Sequence, residues 1–305
     1  MQFPGENLII RLWDSVEKLS IGALQPYQMK RLAKAKQANE VEQILHEHRI
    51  KRTKSDLQLV DQVETISTNA GHTLSAVIEH RNREETNVLN SINHAYIQLS
   101  NEGSDVTSSA TLNEDWLHRW YSYASKVSND ELQQLWGKLL AGEVRRENSI
   151  SYRMMDFIDK LTAREIDEIT LILSLVEKQN RIIIRGCDKS VSFLEKNGID
   201  SHLIQKYTDL AVLASSTTGV VNVSSKLDFK QFEVFQLIYG NDLIELRNTD
   251  KGKDKKSLIY YSLGENGQAL LDLSNYLPNY DYLDELQRDF VSNGIEIQHY
   301  RNKFA

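Results

Sequence analysis

The chain has 305 residues, of which 40% are hydrophobic and 26% charged, so it is long enough for about two domains and a core that needs no disulfide or metal. Its net charge of −7 argues against wholesale coating of nucleic acid, although a local basic patch remains compatible with it. A single cysteine, Cys187, together with the lack of an apolar run of transmembrane length and of a secretory signal, predicts a cytoplasmic protein.

The first hundred residues are predicted to form a long-helix region, 1–100, that serves docking or oligomerisation. Apolar residues at spacings of three and four indicate an amphipathic helix over 7–19. A second helix is predicted to start just after Pro26 and to continue to residue 100, with a break near 69–71. Its narrow apolar stripe and high charge are typical of helices that seek partner helices, as in a coiled coil, either within one chain or between copies.

Residues 30–54 form a basic segment with eight lysines and arginines against three glutamates. One interpretation is a face that contacts the phosphates of nucleic acid or of an anionic lipid. The other is a solvated helix face that meets an acidic face of another subunit. The candidate nucleic-acid residues of this segment are Lys30, Arg31, Lys34, Lys36, Arg49, Lys51, Arg52 and Lys54.

A linker and a compact helical module are predicted to follow. The stretch 101–110 is rich in Ser, Gly, Asp and Asn, which is typical of a linker. The module spans 111–180, because three capping boxes mark successive helix starts. The three boxes pair Thr111 with Glu114, Ser128 with Glu131 and Thr162 with Glu165.

Residues 181–305 are predicted to form a smaller α+β winged-helix-like domain, so the fold class is mainly α. "RIIIRG" and "GVVNVSS" are β-branched and strand-like, whereas "LDFKQFEVFQLIYG" is predicted to be a helix that Gly240 ends. Strands over "NDLIELRN" and "SLIYYSLG" would then form a hairpin, followed by a helix over "ENGQALLDLSNYL". Helix, two strands, helix is the order expected of a winged-helix unit. A helix over "YLDELQRDFVSN" and a strand over "IEIQHYR" close the chain.

The tip of the predicted hairpin is a second candidate nucleic-acid site. Lysines at a wing can touch the phosphate backbone without reading sequence, and the alternative is an ordinary solvated turn. The candidate residues are Lys251, Lys253, Lys255 and Lys256. The predicted helix before the hairpin offers phenylalanines rather than base-reading side chains, which favours protein packing there.

Neither a catalytic residue nor a cofactor or metal site is predicted. The histidines have no acidic or cysteine partners at ligand spacing. The chain also has no glycine-rich phosphate loop and no nucleophile elbow. An enzyme with an unrecognised site, such as a toxin-type effector, remains an open alternative.

The central segment "LQQLWGKLLAGE" is interpreted as packing. On a helix over 130–142 its leucines and Trp136 share one face, and Trp116 and Trp120 are expected to pack on Trp136. Gly142 suits the residue that follows a helix end. Glu143 is expected to pair with the guanidinium of Arg153 across the turn. A catalytic role would need a second titrating group beside Glu143, and none is evident.

This segment resembles an uncharacterised bacterial family, a domain of unknown function related in pattern to abortive-infection proteins of the Abi-alpha kind. The family pattern V-S-x-x-E-x-Q-x-L-W-x-x-L-L-A-G-E falls on 127–143, and a following S-x-R falls on Ser151 and Arg153. The likeness extends over 7–170, with Met155 standing where the family usually has Leu. It implies a bacterial origin and a role in phage defence, and it transfers no catalytic residue.

The first hypothesis is therefore a non-enzymatic helical interaction or regulatory protein, acting as a sensor or partner component of anti-phage defence, with a protein partner or as a homo-oligomer. The alternative is a nucleic-acid-associated protein that uses the basic segment 30–54 and the lysines of 251–256. The toxin-type enzyme is the second alternative.

Overall fold

A computed structural model describes the chain at residues 6–19, 28, 31–32, 35, 37–65, 68–100, 112–186, 188–215, 224–230, 234–248, 255–273 and 276–303. The chain divides into two compact units, Met1–Asp159 and Lys160–Ala305. The described elements of the first unit are all helices, and the second combines helices with two small sheets. The predicted fold class, mainly α with a smaller α+β domain, is confirmed.

The first unit is organised around one long helix. Its elements are α1 (Glu6–Lys18), α2 (Ala38–Glu64), α3 (Thr68–Ser100), α4 (Glu114–Ala124), α5 (Asp130–Arg145) and α6 (Tyr152–Asp159). α3 contacts α1, α2, α4 and, most extensively, α5. Gly137 allows this last approach, because a Cβ there would lie 2.6 Å from the Ser91 carbonyl oxygen. The core includes fully buried Trp13, Trp120, Trp136 and Tyr96.

The helix starts of this unit follow the sequence signals with small shifts. Asn113 and Asn129 are the N-caps of α4 and α5, each accepting a backbone N–H three residues on. Ser128 was predicted to be the N-cap of α5, but the neighbouring Asn129 takes this role, for which asparagine is equally well suited. Thr111 and the predicted linker 101–110 lie outside the described residues. The predicted box of Thr162 and Glu165 is formed and starts the first helix of the second unit.

The second unit contains α7 (Ala163–Ser174), β1 (Ile182–Ile184), α8 (Asp188–Lys196), α9 (Ser201–Asp209), β2 (Ser224–Lys230), β3 (Val234–Tyr239), β4 (Asp242–Asn248), β5 (Lys255–Ser262), α10 (Glu265–Leu273), α11 (Tyr280–Ser292) and β6 (Ile295–Tyr300). One antiparallel sheet has the order β1-β5-β2 and the other the order β3-β4-β6. α7, which the sequence assigned to the helical module, thus belongs to this unit.

The helix predicted over 227–240 is wrong, because this stretch forms strands β2 and β3. From Val234 to Tyr239 burial alternates towards the end of the strand, a period of two that fits a strand. Gly240, with φ +60°, does not end a helix and lies instead in the tight turn between β3 and β4. Of the predicted strand "GVVNVSS", only 224–225 is described, and it belongs to β2.

The predicted hairpin of β4 and β5 is also wrong, since the two strands lie in different sheets. A winged-helix-like order is nevertheless present in other elements: α7, β1, α8, α9, β2 and β5, with β5 between β1 and β2. The two strands at the position of the wing are β2 and β5, and the β3–β4 hairpin is inserted between them in the chain. Among the described residues, no helix combines the length and apolar character needed to cross a membrane.

Candidate nucleic-acid interface

Helices α8 and α9 form a helix-turn-helix. The turn is Asn197 to Asp200, four residues including a glycine, as is common in this motif. Gly198 has φ +78°, which lets the Ile199 N–H bond back to the Leu194 carbonyl at 2.8 Å. Asp200 then caps α9 by accepting the Leu203 N–H at 2.9 Å. The turn is therefore specified by a C-terminal glycine and an N-terminal aspartate.

A carboxylate from another helix fixes the start of α8. Asp289 of α11 is buried and accepts the backbone N–H groups of Lys189 at 3.0 Å and Ser190 at 2.8 Å, together with the Ser190 hydroxyl. Gly186 lies beside this contact, where a Cβ would fall 1.8 Å from the Ser190 hydroxyl oxygen. The amide groups at the start of α8 are therefore satisfied within the unit.

α9 is held against α7 by a polar cluster. Tyr207 is fully buried and donates its hydroxyl to Glu168 at 2.7 Å, and the Lys206 ammonium lies 2.8 Å from the same carboxylate. The bond from Lys206 is the largest of the influences that lower the pKa of Glu168 to about 2. Burial, followed by the bond to Glu168, raises the pKa of the Tyr207 hydroxyl. The cluster thus keeps Glu168 ionised and pairs it with the one lysine of α9.

The opposite face of α9 is exposed and polar. Ser201, His202, Gln205 and Asp209 lie on it, while Ile204 and Tyr207 face inward. The Gln205 amide donates to Asp209 at 2.8 Å. Ser and Gln side chains are among those that read base edges in a major groove. In a helix-turn-helix it is the second helix that enters the groove, and here that helix is α9.

The two strands of the β2–β5 ladder are rich in lysine. Its register places Lys230 opposite Lys255 and Phe229 opposite Lys256. The ladder carries a further lysine, Lys226, and one acidic residue, Asp228. Lys255 and Lys256, two of the four predicted wing lysines, therefore lie on strand β5. The strand that pairs with β5 is β2 and not β4 as predicted. Lys251 and Lys253 lie outside the described residues.

The described residues of the basic segment 30–54 do not form a single basic patch. Arg31 pairs with Glu47 at 2.6 Å, and that bond lowers the pKa of the glutamate. Arg52 approaches Asp56 and Glu85 within 4.0 Å. Arg49 is half-buried, Lys51 and Lys54 are exposed on α2, and Lys30, Lys34 and Lys36 lie outside the described residues.

The Glu143–Arg153 pair expected from the central segment does not form. Glu143 is buried and accepts the Asn148 N–H at 2.6 Å, the Ile150 N–H at 3.0 Å and the Ser149 hydroxyl at 3.2 Å. Arg153 is exposed. The carboxylate binds the backbone N–H groups of the loop rather than the Arg153 guanidinium, because they lie beside it and no long side chain has to be ordered.

The tryptophans around this segment lie in the predicted core. Trp116 donates its indole N–H to the Ile150 carbonyl at 2.9 Å, and Trp120 donates to the Trp136 carbonyl at 2.9 Å. Gly142 does not follow the helix end as expected, because α5 continues to Arg145. The small residue that permits a close helix contact is Gly137, at the x position after the tryptophan in the family pattern.

The family model of a protein of unknown function, DUF2806, matches residues 76–287, more than half of the chain. The chain belongs to this family. No curated protein and no solved structure matches it. The DUF2806 region begins within α3 and ends within α11, so it includes the central segment, the helix-turn-helix and the β2–β5 ladder but not α2. The predicted membership of an uncharacterised family is confirmed, and the relation to abortive-infection proteins stays a prediction.

The described residues contain no group of three or more His, Cys, Asp or Glu side chains arranged to hold a metal ion. The buried carboxylates Glu143, Glu177 and Asp289 each accept backbone N–H groups of neighbouring loops or helix starts. They are therefore used in holding the fold, and the chemistry that this site offers is hydrogen bonding by the exposed face of α9.

Proposed function

We propose that this protein is a non-enzymatic regulatory protein that binds duplex nucleic acid through the helix-turn-helix and the β2–β5 ladder. One observation carries the proposal: α9 is docked on α7 by its buried face while a face of Ser201, His202 and Gln205 stays exposed. The lysines of the ladder add charge for the phosphate backbone. An exposed polar second helix and a basic strand pair are the two features that a groove-reading helix and its wing require.

The binding is expected to be weak and to fall as the salt concentration rises. The chain is acidic overall, and the exposed face of α9 carries no arginine. Affinity then depends on the few ladder lysines, and each phosphate contact that is lost reduces the salt dependence. Sequence preference depends on Ser201 and Gln205, whose side chains can bond to bases.

The test is fluorescence anisotropy of a labelled mixed-sequence duplex at about 50 mM salt and above. Replacement of Lys255 and Lys256 by Glu is expected to weaken binding and to reduce the slope of log K against log salt by about 2. Replacement by Glu of Lys126 and Lys160, two exposed lysines that do not belong to the ladder, is the charge-matched control. Absence of binding by the unchanged protein at the lowest salt would overturn the proposal.

A second candidate function is that of a sensor or partner component in anti-phage defence. The resemblance of 127–143 to abortive-infection proteins favours it, as does the apolar surface exposed on α2 and α3, where Leu57 and Val77 are 58% and 60% accessible. Expression in a bacterial host challenged with a panel of phages tests this role. Plaque counts equal to those of an empty-vector host across the panel would count against it.

A further inference from the structure

The far end of the α2–α3 hairpin, residues 57–77 apart from 66–67, extends as a two-helix arm. Among the described residues of this hairpin arm, only Gly71 is buried. The two helices meet closely there, since a Cβ on Gly71 would lie 2.8 Å from the Glu64 Cβ. Asp56, where the arm begins, accepts bonds from Arg81 and Asn82 of α3, both at 3.0 Å. The arm is thus a defined helical pair whose outer surfaces lack a covering element among the described residues.

Apolar side chains collect on the outside of this arm. Leu57, Leu59 and Val77 are 58%, 47% and 60% exposed. Leu57 and Val77 lie at a similar height along the hairpin, because the neighbouring contacts join Asp56 to Arg81 and Glu64 to Gly71. Ile50 is also exposed and lies seven residues before Leu57, on the same face of α2. A helix face with this spacing is typical of packing against further helices.

Along this face of α2, positive charge lies on one side of Leu57 and negative charge on the other. Ile50, Lys54, Leu57, Asp61 and Glu64 follow one another at spacings of four, three, four and three, so they share one stripe. The positive charge of Lys54 precedes Leu57, and the negative charges of Asp61 and Glu64 follow it. Both Lys54 and Asp61 are exposed. Such a stripe complements itself when a second stripe runs in the opposite direction.

We propose that this face is a dimer interface, and that its occupant is α2 of a second copy of this chain, packed antiparallel with Leu57 near the twofold axis. In that arrangement Lys54 of each copy lies opposite Asp61 of the other, because the two residues are three and four positions from the axis. A parallel arrangement would place like charges opposite each other, which is unfavourable. An isologous contact of this kind closes as a dimer.

The interface can be extended by the second helix of the arm. Val77 of α3 is exposed at a similar height along the hairpin as Leu57, so two arms together would approximate a four-helix bundle. The arm offers only about two turns of each helix, which gives an interface at the small end of specific ones. We therefore expect a dimer that dissociates on dilution. This inference does not depend on nucleic-acid binding and goes beyond the function proposed above.

The test is sedimentation of the full chain over a range of concentrations. The unchanged protein is expected to shift from monomer to dimer, and Leu57→Asp to remain monomeric. Lys54→Glu and Asp61→Lys are each expected to weaken the dimer about tenfold, because two attractive pairs become repulsive. Leu277→Asp, at a residue that is 81% exposed in the second unit, is the control and should sediment as the unchanged protein does.

Mixing the two single variants decides whether the partner is a second copy. In a Lys54→Glu and Asp61→Lys heterodimer both cross-pairs are again of opposite charge, and association should return. The double variant should likewise associate with itself. A protein that stays monomeric at every concentration overturns the proposal, and so do single variants that associate as strongly as the unchanged chain or a mixture that does not recover.

Discussion

Each unit contains a buried glutamate that closes the loop after a helix, and the two differ in reach. Glu143 of the first unit accepts bonds only within seven residues, from Asn148 to Ile150. Glu177 of the second unit accepts the Asn180 N–H nearby at 2.6 Å and also the Ile238 N–H of β3 at 2.8 Å, 61 residues away. The same chemistry therefore fixes a local turn in one unit and joins a loop to a distant strand in the other.

The comparison shows why a carboxylate in a family motif, such as Glu143 in 127–143, is weak evidence for catalysis. A buried carboxylate needs several donors, and the nearest donors are backbone N–H groups.

Unfolding of the two units can be followed separately. Trp13, Trp116, Trp120 and Trp136 are the four tryptophans of the chain, and all lie in the first unit. Tryptophan fluorescence consequently reports on the first unit alone.

The largest effect is expected for Glu177→Gln. The amide would present an NH₂ group to backbone donors, so that at least one buried N–H loses its partner and the contact to β3 weakens. We expect a loss of about 3 kcal/mol in the free energy of unfolding of the second unit. Hydrogen exchange of amides in β3 and β4 measures it, while the tryptophan transition should stay in place.

Glu245→Gln is the matched control, because Glu245 lies on β4, the strand paired with β3, but is only half-buried and accepts a bond from the side chain of Gln236 at 2.8 Å. It should cost little. If both replacements had the same small effect, the long-range role of Glu177 would be wrong.

A smaller and local effect is expected for Glu143→Gln. Its three acceptor bonds close one turn, so we expect about 2 kcal/mol of destabilisation, visible as an earlier tryptophan transition in denaturant. Arg153→Ala provides the contrast, because the exposed arginine is not the partner of Glu143. A comparable loss of stability in Arg153→Ala would revive the ion pair expected from the sequence.

The turn of the helix-turn-helix can be tested at Gly198. A Cβ would meet no atom within 4 Å there, so the cost of a side chain comes from the positive φ alone. We expect Gly198→Val to lose about 1 to 2 kcal/mol and Gly198→Asn much less, since asparagine tolerates this conformation. Thermal unfolding followed by circular dichroism measures the difference. Equal losses in the two variants would show that the backbone conformation is not the cause.

Local patterns predicted much of the fold. Helix α11 and strands β4, β5 and β6 lie where periodicity and β-branched residues indicated them. The pairing of β2 with β5 was not predictable in this way, because the strands are separated by 231–254 and no local pattern encodes a distant partner. The stretch 227–240 was predicted to be a helix ended by Gly240, although an alternation typical of a strand is also present in it.

The candidate site was predicted only in part. Lys255 and Lys256 were chosen as wing residues, but α9 was not recognised as the second helix of a helix-turn-helix. The sequence did hold a signal for it: Asn197-Gly198 is typical of a helix end, and Asp200 of a helix start. The polar cluster beneath α9 joins residues from α7 and α9 that only tertiary packing brings together.

That cluster gives the smallest and most specific prediction, a change in pH dependence. The bonds from Lys206 and Tyr207 hold the pKa of Glu168 at about 2, below its ordinary 4.5. A lowered pKa means that the ionised group stabilises the folded unit above the ordinary value, and that this contribution is lost as the pH falls from about 4.5 towards 2. Glu168→Gln should therefore cost about 1 kcal/mol at neutral pH and flatten the stability curve in that acid range.

Unfolding of the second unit, followed by hydrogen exchange of its amides at several pH values, measures this dependence. Glu195→Gln, at an exposed position on α8, is the control and should leave the slope unchanged. Parallel curves for Glu168→Gln and the unchanged protein would mean that the cluster does not hold α9 on α7 through charge.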